Sequence, residues 1–258
     1  MKTQYISIII AFIVICGLLF GMQYISKRER RALVIIEPRR HKDLSRVLAN
    51  FDMHIDRSWD LYIFHGAGSA SYAANAAKVV KSGRNIYLKS LNTDNLNSAQ
   101  YNELLKDPIF WDRVDAEDIL IFQTDAAICG QSKFRLEDFT SYDYIGCSVK
   151  PGLIGDKGKY WNAHFYGIGG LSFRKKSFMK QCIRTHPNKD PTYAEDVFFS
   201  ECVHNSPHRP QSDITLANFC TQTTHMSNSW GAHKTKHIRL DSSFYDFCPE
   251  AKFLAKPI

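Results

Sequence analysis

The chain has 258 residues, 44% of them hydrophobic and 23% charged, and its formal net charge is +7. This length and composition indicate one globular domain with a short extra segment, and they exclude a disordered or low-complexity chain. Residues 27–40 carry +4 of the charge, through six Lys or Arg and two Glu. A nucleic-acid-binding protein carries its basic patch on the folded domain, so we expect no nucleic-acid partner.

The first part of the chain predicts a membrane anchor. Residues 5–25 are apolar apart from Ser7 and Gln23. Because about 20 such residues cross a bilayer as a helix, we predict a transmembrane anchor at 1–26 and a basic linker at 27–31. A cleaved signal peptide is the alternative. The basic residues after the span favour a cytosolic domain, whereas a single-pass protein of the Golgi or ER has a lumenal one, so the orientation stays open.

From residue 32 onwards, strand-like and helix-like patterns alternate. Strands are predicted at 32–36, 60–64, 85–88 and 118–122, and helices at 41–51, 69–81 and 98–105. Such alternation is typical of a three-layer α/β domain with a mostly parallel sheet, which we place at 32–258.

The second half of the domain is less regular. It predicts strands at 142–147 and 171–174, a mobile loop at 150–159, and helices at 177–184, 195–203 and 214–223. The last twenty residues show no clear period.

Polar side chains follow three of the predicted strands. They are Glu37 and Arg39 after the first, His65 after the second, and Gln123, Thr124 and Asp125 after the fourth. Ligands of such sheets bind at the carboxyl ends of the strands, so a nucleotide is expected here. Asp125 has the carboxylate that Mg²⁺ or Mn²⁺ prefers when it bridges substrate phosphates. A turn or helix-cap role explains Asp125 equally simply.

Three further clusters carry candidate chemistry. Gly169 and Gly170 belong to a glycine run that allows close backbone approach to a ligand, or merely a tight hairpin. Asp196 could act as a general base with Glu195 in support, although Glu195 also fits a capping box that begins at Thr192.

The third cluster is His233 with Lys234. His233 could ligate the same metal as Asp125, and Lys234 could contact a diphosphate. A lone histidine is more often a hydrogen-bonded or surface residue.

Six cysteines follow the apolar segment, at wide spacing and without a Cys-x-x-Cys pair. Disulfides in a lumenal domain and free thiols in a cytosolic domain are both compatible with this pattern.

Several motifs, in this order, resemble those of a glycosyltransferase-like family catalogued as a domain of unknown function (family 5672). They are ALVIIEPR, LYIFHG, YNELLKDPIFW, LIFQTD, YDYIG, GGLSFR, EDVFFS and GAHK, and they cover about residues 32 to 236. The resemblance implies a GT-A-like fold and transfer of a sugar from a nucleotide-sugar donor to a hydroxyl acceptor. That acceptor is an unknown glycan, protein or lipid.

On this resemblance, Asp125 and His233 would hold a divalent metal, Mn²⁺ or Mg²⁺, at the donor diphosphate. Asp196 would act as the general base of an inverting transfer, and Gly169 and Gly170 would let the backbone approach the sugar. Two positions depart from the expected pattern. Gln123 replaces the first acid of the Asp-x-Asp motif of the larger class, and Ile168 stands where Asn is expected.

Two other functions stay open on the sequence alone. One is a non-catalytic GT-A-like domain that binds a nucleotide or a glycan, which the missing acid at Gln123 supports. The other is a metal-dependent hydrolase that uses Asp125 and His233.

Overall fold

The described part of the chain begins next to the predicted anchor. The computed structural model describes residues 30–148, 166–187, 190, 192–222, 228–235 and 242–254. The chain divides into two units, Met1–Arg30 and Arg31–Ile258, and every element below belongs to the second. Among the described residues, no helix has the length and apolar character needed to cross a membrane. The predicted anchor at 1–26 and the predicted loop at 150–159 lie outside the described residues.

Strands and helices alternate through the first half of the domain. The strands are β1 Arg31–Glu37, β2 Trp59–His65, β3 Ile86–Ser90, β4 Asp118–Phe122, β5 Ala126–Ile128, β6 Tyr144–Cys147, β7 Ile168–Lys175, β8 Cys220–Thr221 and β9 Gly231–His233. The α-helices are α1 Leu44–His54, α2 Ala70–Ala77, α3 Ser98–Leu105, α4 Pro108–Asp112, α5 Lys176–Thr185, α6 Glu195–Val203, α7 Asp213–Phe219 and α8 Ser242–Phe247. Short 3₁₀ helices occupy Ala67–Ser69, Leu136–Phe139 and Pro249–Leu254.

The main sheet is mixed, with the strand order β3-β2-β1-β4-β7-β6. β3, β2, β1 and β4 are parallel, whereas β7 runs antiparallel to both β4 and β6. The mixed α/β class is therefore confirmed, and the parallel prediction holds for the first four strands. A small second sheet has the order β5-β9-β8.

Helices cover both faces of the main sheet, which gives three layers. Successive strand residues point to opposite faces, so Leu33 and Ile35 pack with α1 and α2, while Val34 and Ile36 pack with α3 to α6. Strands buried on both faces are apolar at nearly every position. This explains the unbroken apolar runs in the sequence.

The predicted boundaries differ from the observed ones where tertiary contacts decide. The predicted helix at 214–223 ends at Phe219, because Cys220 and Thr221 pair with β9. The short strands β5 and β9 carry too few residues for a readable period, and the sequence analysis missed them. The buried side chain of Asn50 in α1 stabilises β5, since it donates to the carbonyl of Ile128 at 3.1 Å and accepts its N–H at 2.7 Å.

Two disulfides tie the small sheet to the rest of the domain. Cys129 is bonded to Cys248, and Cys147 in β6 is bonded to Cys220 in β8. Cys182 and Cys202 are free, so neither all-disulfide nor all-thiol usage is observed. Such bonds persist mainly in oxidising compartments.

Loss of the disulfide between β6 and β8 should destabilise the folded protein. We expect Cys147→Ala/Cys220→Ala to lower the free energy of unfolding by about 2–4 kcal/mol, because the bond restricts the unfolded chain. Urea denaturation of the oxidised proteins measures this. Cys202→Ala, at a half-buried free thiol, is the control and should have a smaller effect. Equal losses in the two variants would contradict the stabilising role of the bond.

Candidate functional site

The site lies at the carboxyl edge of the parallel strands. Glu37 ends β1 and lies opposite His65, which ends β2. β1 connects onward to β2 on one side, while β4 lies on its other side, so the strand order reverses between β1 and β4. Ligands of open α/β sheets bind in the crevice at such a switch point. Gln123, the first residue after β4, lies at this crevice.

Three polar side chains converge there. We call Gln123, Asp125 and His233 the acceptor cluster, because each has an atom that can accept a hydrogen bond; the name does not refer to the acceptor of a sugar. The Nε2 atom of His233 lies 3.2 Å from the Oδ1 atom of Asp125 and 3.3 Å from the Oε1 atom of Gln123. The sequence analysis predicted the proximity of Asp125 and His233, and the structure brings the two side chains together.

Backbone pairing holds the cluster in place. Ala126 in β5 lies opposite His233 in β9, and the N–H of Lys234 donates to the carbonyl of Asp125 at 3.0 Å. The N–H of Gln123 donates to the carbonyl of Gly170 in β7 at 2.9 Å. The two sheets thus meet at the cluster, and each contributes side chains to it.

The two ring nitrogens of His233 both face oxygen atoms. Its Nδ1 atom lies 2.7 Å from the Oε1 atom of Gln222, and its Nε2 atom faces Asp125 and Gln123. With the ring proton on Nδ1, donated to Gln222, Nε2 presents a lone pair to the cluster. Burial lowers the pKa of this fully enclosed imidazole, so the neutral form is favoured. In metal-binding histidines, a hydrogen bond donated by the ring nitrogen that does not contact the metal fixes the tautomer.

Asp125 is the charged member of the cluster. Burial alone would raise the pKa of its carboxyl, but the interactions of Asp125 with His233 and Lys234 outweigh burial and lower the pKa to about 2. Lys234 lies in the left-handed region with φ of 48°, an uncommon conformation for a residue with a side chain. Asp125 is therefore an anion at neutral pH, and its side chain is 41% exposed.

The cluster fits a divalent cation. When the ring proton of His233 is on Nδ1, three acceptor atoms face one another, and a cation between them would satisfy all three. In an octahedral shell with bonds of about 2.1 Å, neighbouring ligand atoms lie about 3.0 Å apart, close to the separations of 3.2 and 3.3 Å. No group of three or more His, Cys, Asp or Glu suited to a metal occurs in the described residues. The third protein ligand would therefore be the amide oxygen of Gln123.

The two adjacent glycines are required by protein side chains. A Cβ at Gly170 would overlap the ring of His233 and lie 2.9 Å from the Oε1 atom of Gln123. A Cβ at Gly169 would overlap the carboxylate of Glu195 and lie 2.6 Å from Arg174. That Gly169 and Gly170 let the backbone approach a sugar stays a prediction. In the structure, the space beside them is occupied by the acceptor cluster and by Glu195.

Glu195 pairs with an arginine and does not form the predicted capping box. α6 begins at Glu195, and its N-cap, Ala194, makes no side-chain cap, so the predicted capping box does not form. Glu195 is buried, and both of its oxygens accept from Arg174, at 2.6 and 3.1 Å. It is therefore committed to an ion pair and is not available to a substrate.

Asp196 lies next to Glu195 in the first turn of α6. Its Oδ2 atom accepts the N–H of Gly169 at 3.4 Å, and its Oδ1 atom accepts the N–H of Val197 at 2.9 Å. Burial and the charge of Glu195 raise the pKa of this carboxyl to about 6. A carboxyl that titrates near neutral pH is suited to general-base catalysis. Gly169 and Gly170 link Asp196 to the acceptor cluster.

The remaining predicted residues lie on the same edge of the sheet and differ in how far their side chains are exposed. Glu37 is buried and holds the exposed Arg39 through two hydrogen bonds of 2.8 and 2.9 Å. The charge of Asp125 contributes to a raised pKa of Arg39, after the larger contribution from Glu37. His65 is buried, and its Nδ1 atom lies 2.7 Å from the carbonyl of Gly66. Thr124 is also buried. Of these side chains, Arg39 is the one open to a ligand.

Sequence reasoning missed Arg174 and Gln222. Arg174 belongs to GGLSFR and follows the apolar Phe173 within β7, and a charged residue inside a buried strand is a signal of a buried pair. Gln222 follows the two-residue strand β8 and lies 11 positions from its partner His233, so no local pattern identifies it. Ile168, the residue that departs from the family pattern, packs against the core.

A separate cavity of 560 Å³ lies beside α5 and α6 and is lined by residues including Phe178, His186 and Cys202. None of the predicted site residues lines it. Shape alone therefore does not locate the candidate site, which is defined by its chemistry.

Comparison with known families covers this region of the chain. A family model described as "Protein of unknown function (DUF5672)" matches residues 85–235, more than half of the chain. No curated protein matches the chain. The matched span contains the acceptor cluster, the two glycines and Asp196, whereas β1 and β2 precede it. The family of unknown function is thus confirmed over a shorter range than the motifs predicted, and its glycosyltransferase-like character stays a prediction.

Proposed function

The chain belongs to the family of proteins of unknown function DUF5672, whose description names no activity, and we propose that it transfers a sugar from a nucleotide-sugar donor to a hydroxyl acceptor. The observation that carries this proposal is the acceptor cluster at the switch point of the sheet, with Asp196 on the far side of the two glycines. The cluster supplies a site for a cation and an anionic donor. Asp196 supplies a base for the acceptor.

Donor binding would use the acceptor cluster and nearby basic residues. Asp125, His233 and Gln123 would hold Mn²⁺ or Mg²⁺, which neutralises charge on a leaving diphosphate. Lys234 follows His233 directly, and Arg39 is exposed at the end of β1, so both can add positive charge for phosphate oxygens. A single carboxylate in the cluster leaves a bound divalent cation with net positive charge toward an anionic donor.

Acceptor activation would use Asp196. With a pKa of about 6, most of this carboxyl is ionised at pH 7 and can accept a proton from a hydroxyl. The N–H groups of Gly169 and Val197 orient the carboxylate. A base that acts on the attacking hydroxyl is consistent with an inverting transfer.

The architecture supports a GT-A-like assignment, which we make part of the proposal. Four parallel strands end at the carboxyl edge of the sheet, where we place the nucleotide. β7 returns antiparallel beside β4. The small sheet brings His233 against the end of β4. This arrangement joins a donor region and an acceptor region within one domain.

The two rival functions make less use of the site. A non-catalytic binding domain needs no carboxyl with a pKa near neutrality, and Asp196 has one. A hydrolase acting through Asp125 and His233 would attack with water and would not depend on an acceptor. Transfer that requires an acceptor hydroxyl distinguishes our proposal from both.

The proposal is tested by ligand-dependent stability of the full chain. We expect one nucleotide sugar to raise the melting temperature only with Mn²⁺ or Mg²⁺, because a ligand at a hundred times its Kd adds about 2.7 kcal/mol to the folded state. Acceptor-dependent release of the nucleoside diphosphate should follow for that donor. A folded sample that responds to no nucleotide sugar would argue against the proposal, and acceptor-independent release would favour the hydrolase.

A further inference from the structure

A buried ion pair connects the two halves of the site. Arg174 in β7 is fully enclosed. Its Nη1 and Nη2 atoms donate to Glu195, at 2.6 and 3.1 Å, and its Nε atom donates to Ser172 at 2.9 Å. The guanidinium carbon lies 5.1 Å from the ring of Tyr144 and 5.4 Å from that of Phe199. Arg174 therefore fixes the start of α6 against β7 from several directions.

The same pair sets the position of Asp196. Glu195 is the residue before Asp196, so anchoring Glu195 anchors the first turn of α6. Arg174 also donates to the carbonyl of Gly169 at 3.4 Å, and the N–H of Gly169 donates to Asp196 at 3.4 Å. Arg174 thus holds the carbonyl of Gly169, and Asp196 holds its N–H.

The next residue completes the connection to the acceptor cluster. Gly170 contacts His233 so closely that no Cβ fits between them. Its carbonyl accepts the N–H of Gln123 at 2.9 Å. A displacement of Gly169 therefore changes the separation between Asp196 and the cluster.

We propose that Arg174 and Glu195 are positioning residues that fix Asp196 relative to the acceptor cluster. This inference rests on the proposed function for its catalytic meaning. A purely stabilising role is a weak explanation, because apolar residues of similar size often stabilise a core as well as a buried ion pair does.

A second buried pair offers a matched control. Arg84 and Asp52 form an ion pair of 2.8 Å with side chains 0% and 9% exposed. Arg84 also donates to the carbonyls of Trp59 and Ile55, at 2.9 and 2.8 Å. Trp59 begins β2, so this pair lies at the opposite edge of the sheet from the candidate site. Arg→Lys at either position replaces a buried guanidinium, which donates twice to the Glu195 carboxylate at Arg174 and once to the Asp52 carboxylate at Arg84.

The first test compares Arg174→Lys with Arg84→Lys. We expect Arg174→Lys to lower kcat for transfer of the sugar to the acceptor hydroxyl about 100-fold, because displacements of about 1 Å in an active site lower rates by about this factor. The Kd for nucleoside diphosphate with Mn²⁺ should change less than about threefold, since the cluster is retained. Arg84→Lys should lower the melting temperature and leave kcat within about threefold. Equal losses of kcat in the two variants would overturn the proposal.

A second readout needs no turnover. The amide of Gly169 donates to Asp196, so its ¹⁵N–¹H signal should titrate with that carboxyl in the unchanged protein and in Arg84→Lys. Arg174→Lys should lose this response, and Glu195→Gln should move the midpoint to lower pH because a nearby negative charge is removed. An unchanged titration in both site variants would overturn the proposal. A protein that shows these shifts but binds no nucleotide sugar would refute the proposed function and retain the positioning role.

Discussion

Replacing Asp125 with Asn is expected to weaken Mn²⁺ binding by at least about a hundredfold, because changes to groups that merely support metal ligands already cost 10- to 100-fold. Asp125 is the one charged member of the acceptor cluster, and its lowered pKa keeps it ionised. Asn preserves the shape and removes the charge. Isothermal titration with Mn²⁺, and then with a nucleotide sugar in the presence of Mn²⁺, measures the loss.

Asp94→Asn is the control for this prediction. Asp94 accepts the N–H of Gly68 at 2.6 Å in the loops beside the same edge of the sheet, and it is not a member of the acceptor cluster. We expect its substitution to leave Mn²⁺ affinity within about threefold, because it removes no metal ligand. Unchanged Mn²⁺ affinity in Asp125→Asn would exclude the cluster as the cation site.

Asp196→Asn should abolish most turnover while preserving donor binding. General-base catalysis contributes about 10²- to 10⁴-fold, and the amide of Asn accepts no proton at neutral pH. In the unchanged protein, kcat/KM should fall as the pH drops below about 6, where the carboxyl becomes protonated. Steady-state kinetics across pH 4.5–8 measure both effects. A full rate with the Asn variant would remove Asp196 from the mechanism.

The same carboxyl affects stability, with a defined sign. Its pKa is raised from 3.8 to about 6 in the folded protein, so its contribution to stability is present at low pH and is lost as the pH rises through 6. Asp196→Asn should therefore be more stable than the unchanged protein at pH 7, and this advantage should disappear near pH 4. Asp213→Asn, at an exposed helix start, should show no such gain. Denaturation at the two pH values measures the difference.

The sequence predicted those elements whose own residues determine them. β4 and α6 have the predicted bounds, because a short apolar run and an acidic helix start are local signals. β9 could not be predicted, since its three residues become a strand only by pairing with β5 and β8. The antiparallel direction of β7 likewise depends on chain connections that no local pattern records.

The candidate site was partly predictable for the same reason. Asp125 follows a recognisable strand, so its place at the carboxyl edge could be inferred. The motif pattern paired it with His233, and the structure shows the two side chains in contact. The ion pair between Glu195 and Arg174 could not be inferred, because it requires that β7 and α6 be adjacent in space. Gln222 could not be predicted either, because its place in the site depends on one hydrogen bond to His233 that no local pattern indicates.

The acceptor cluster also constrains the order of folding. Gln123 and His233 are 110 positions apart, so the loop between them must close before these groups meet, and contacts of such separation form slowly. The early strands can pair without β9, but a chain at that stage lacks the third acceptor atom. A cation bound by the cluster, as we propose, would therefore stabilise only chains in which the small sheet has already docked.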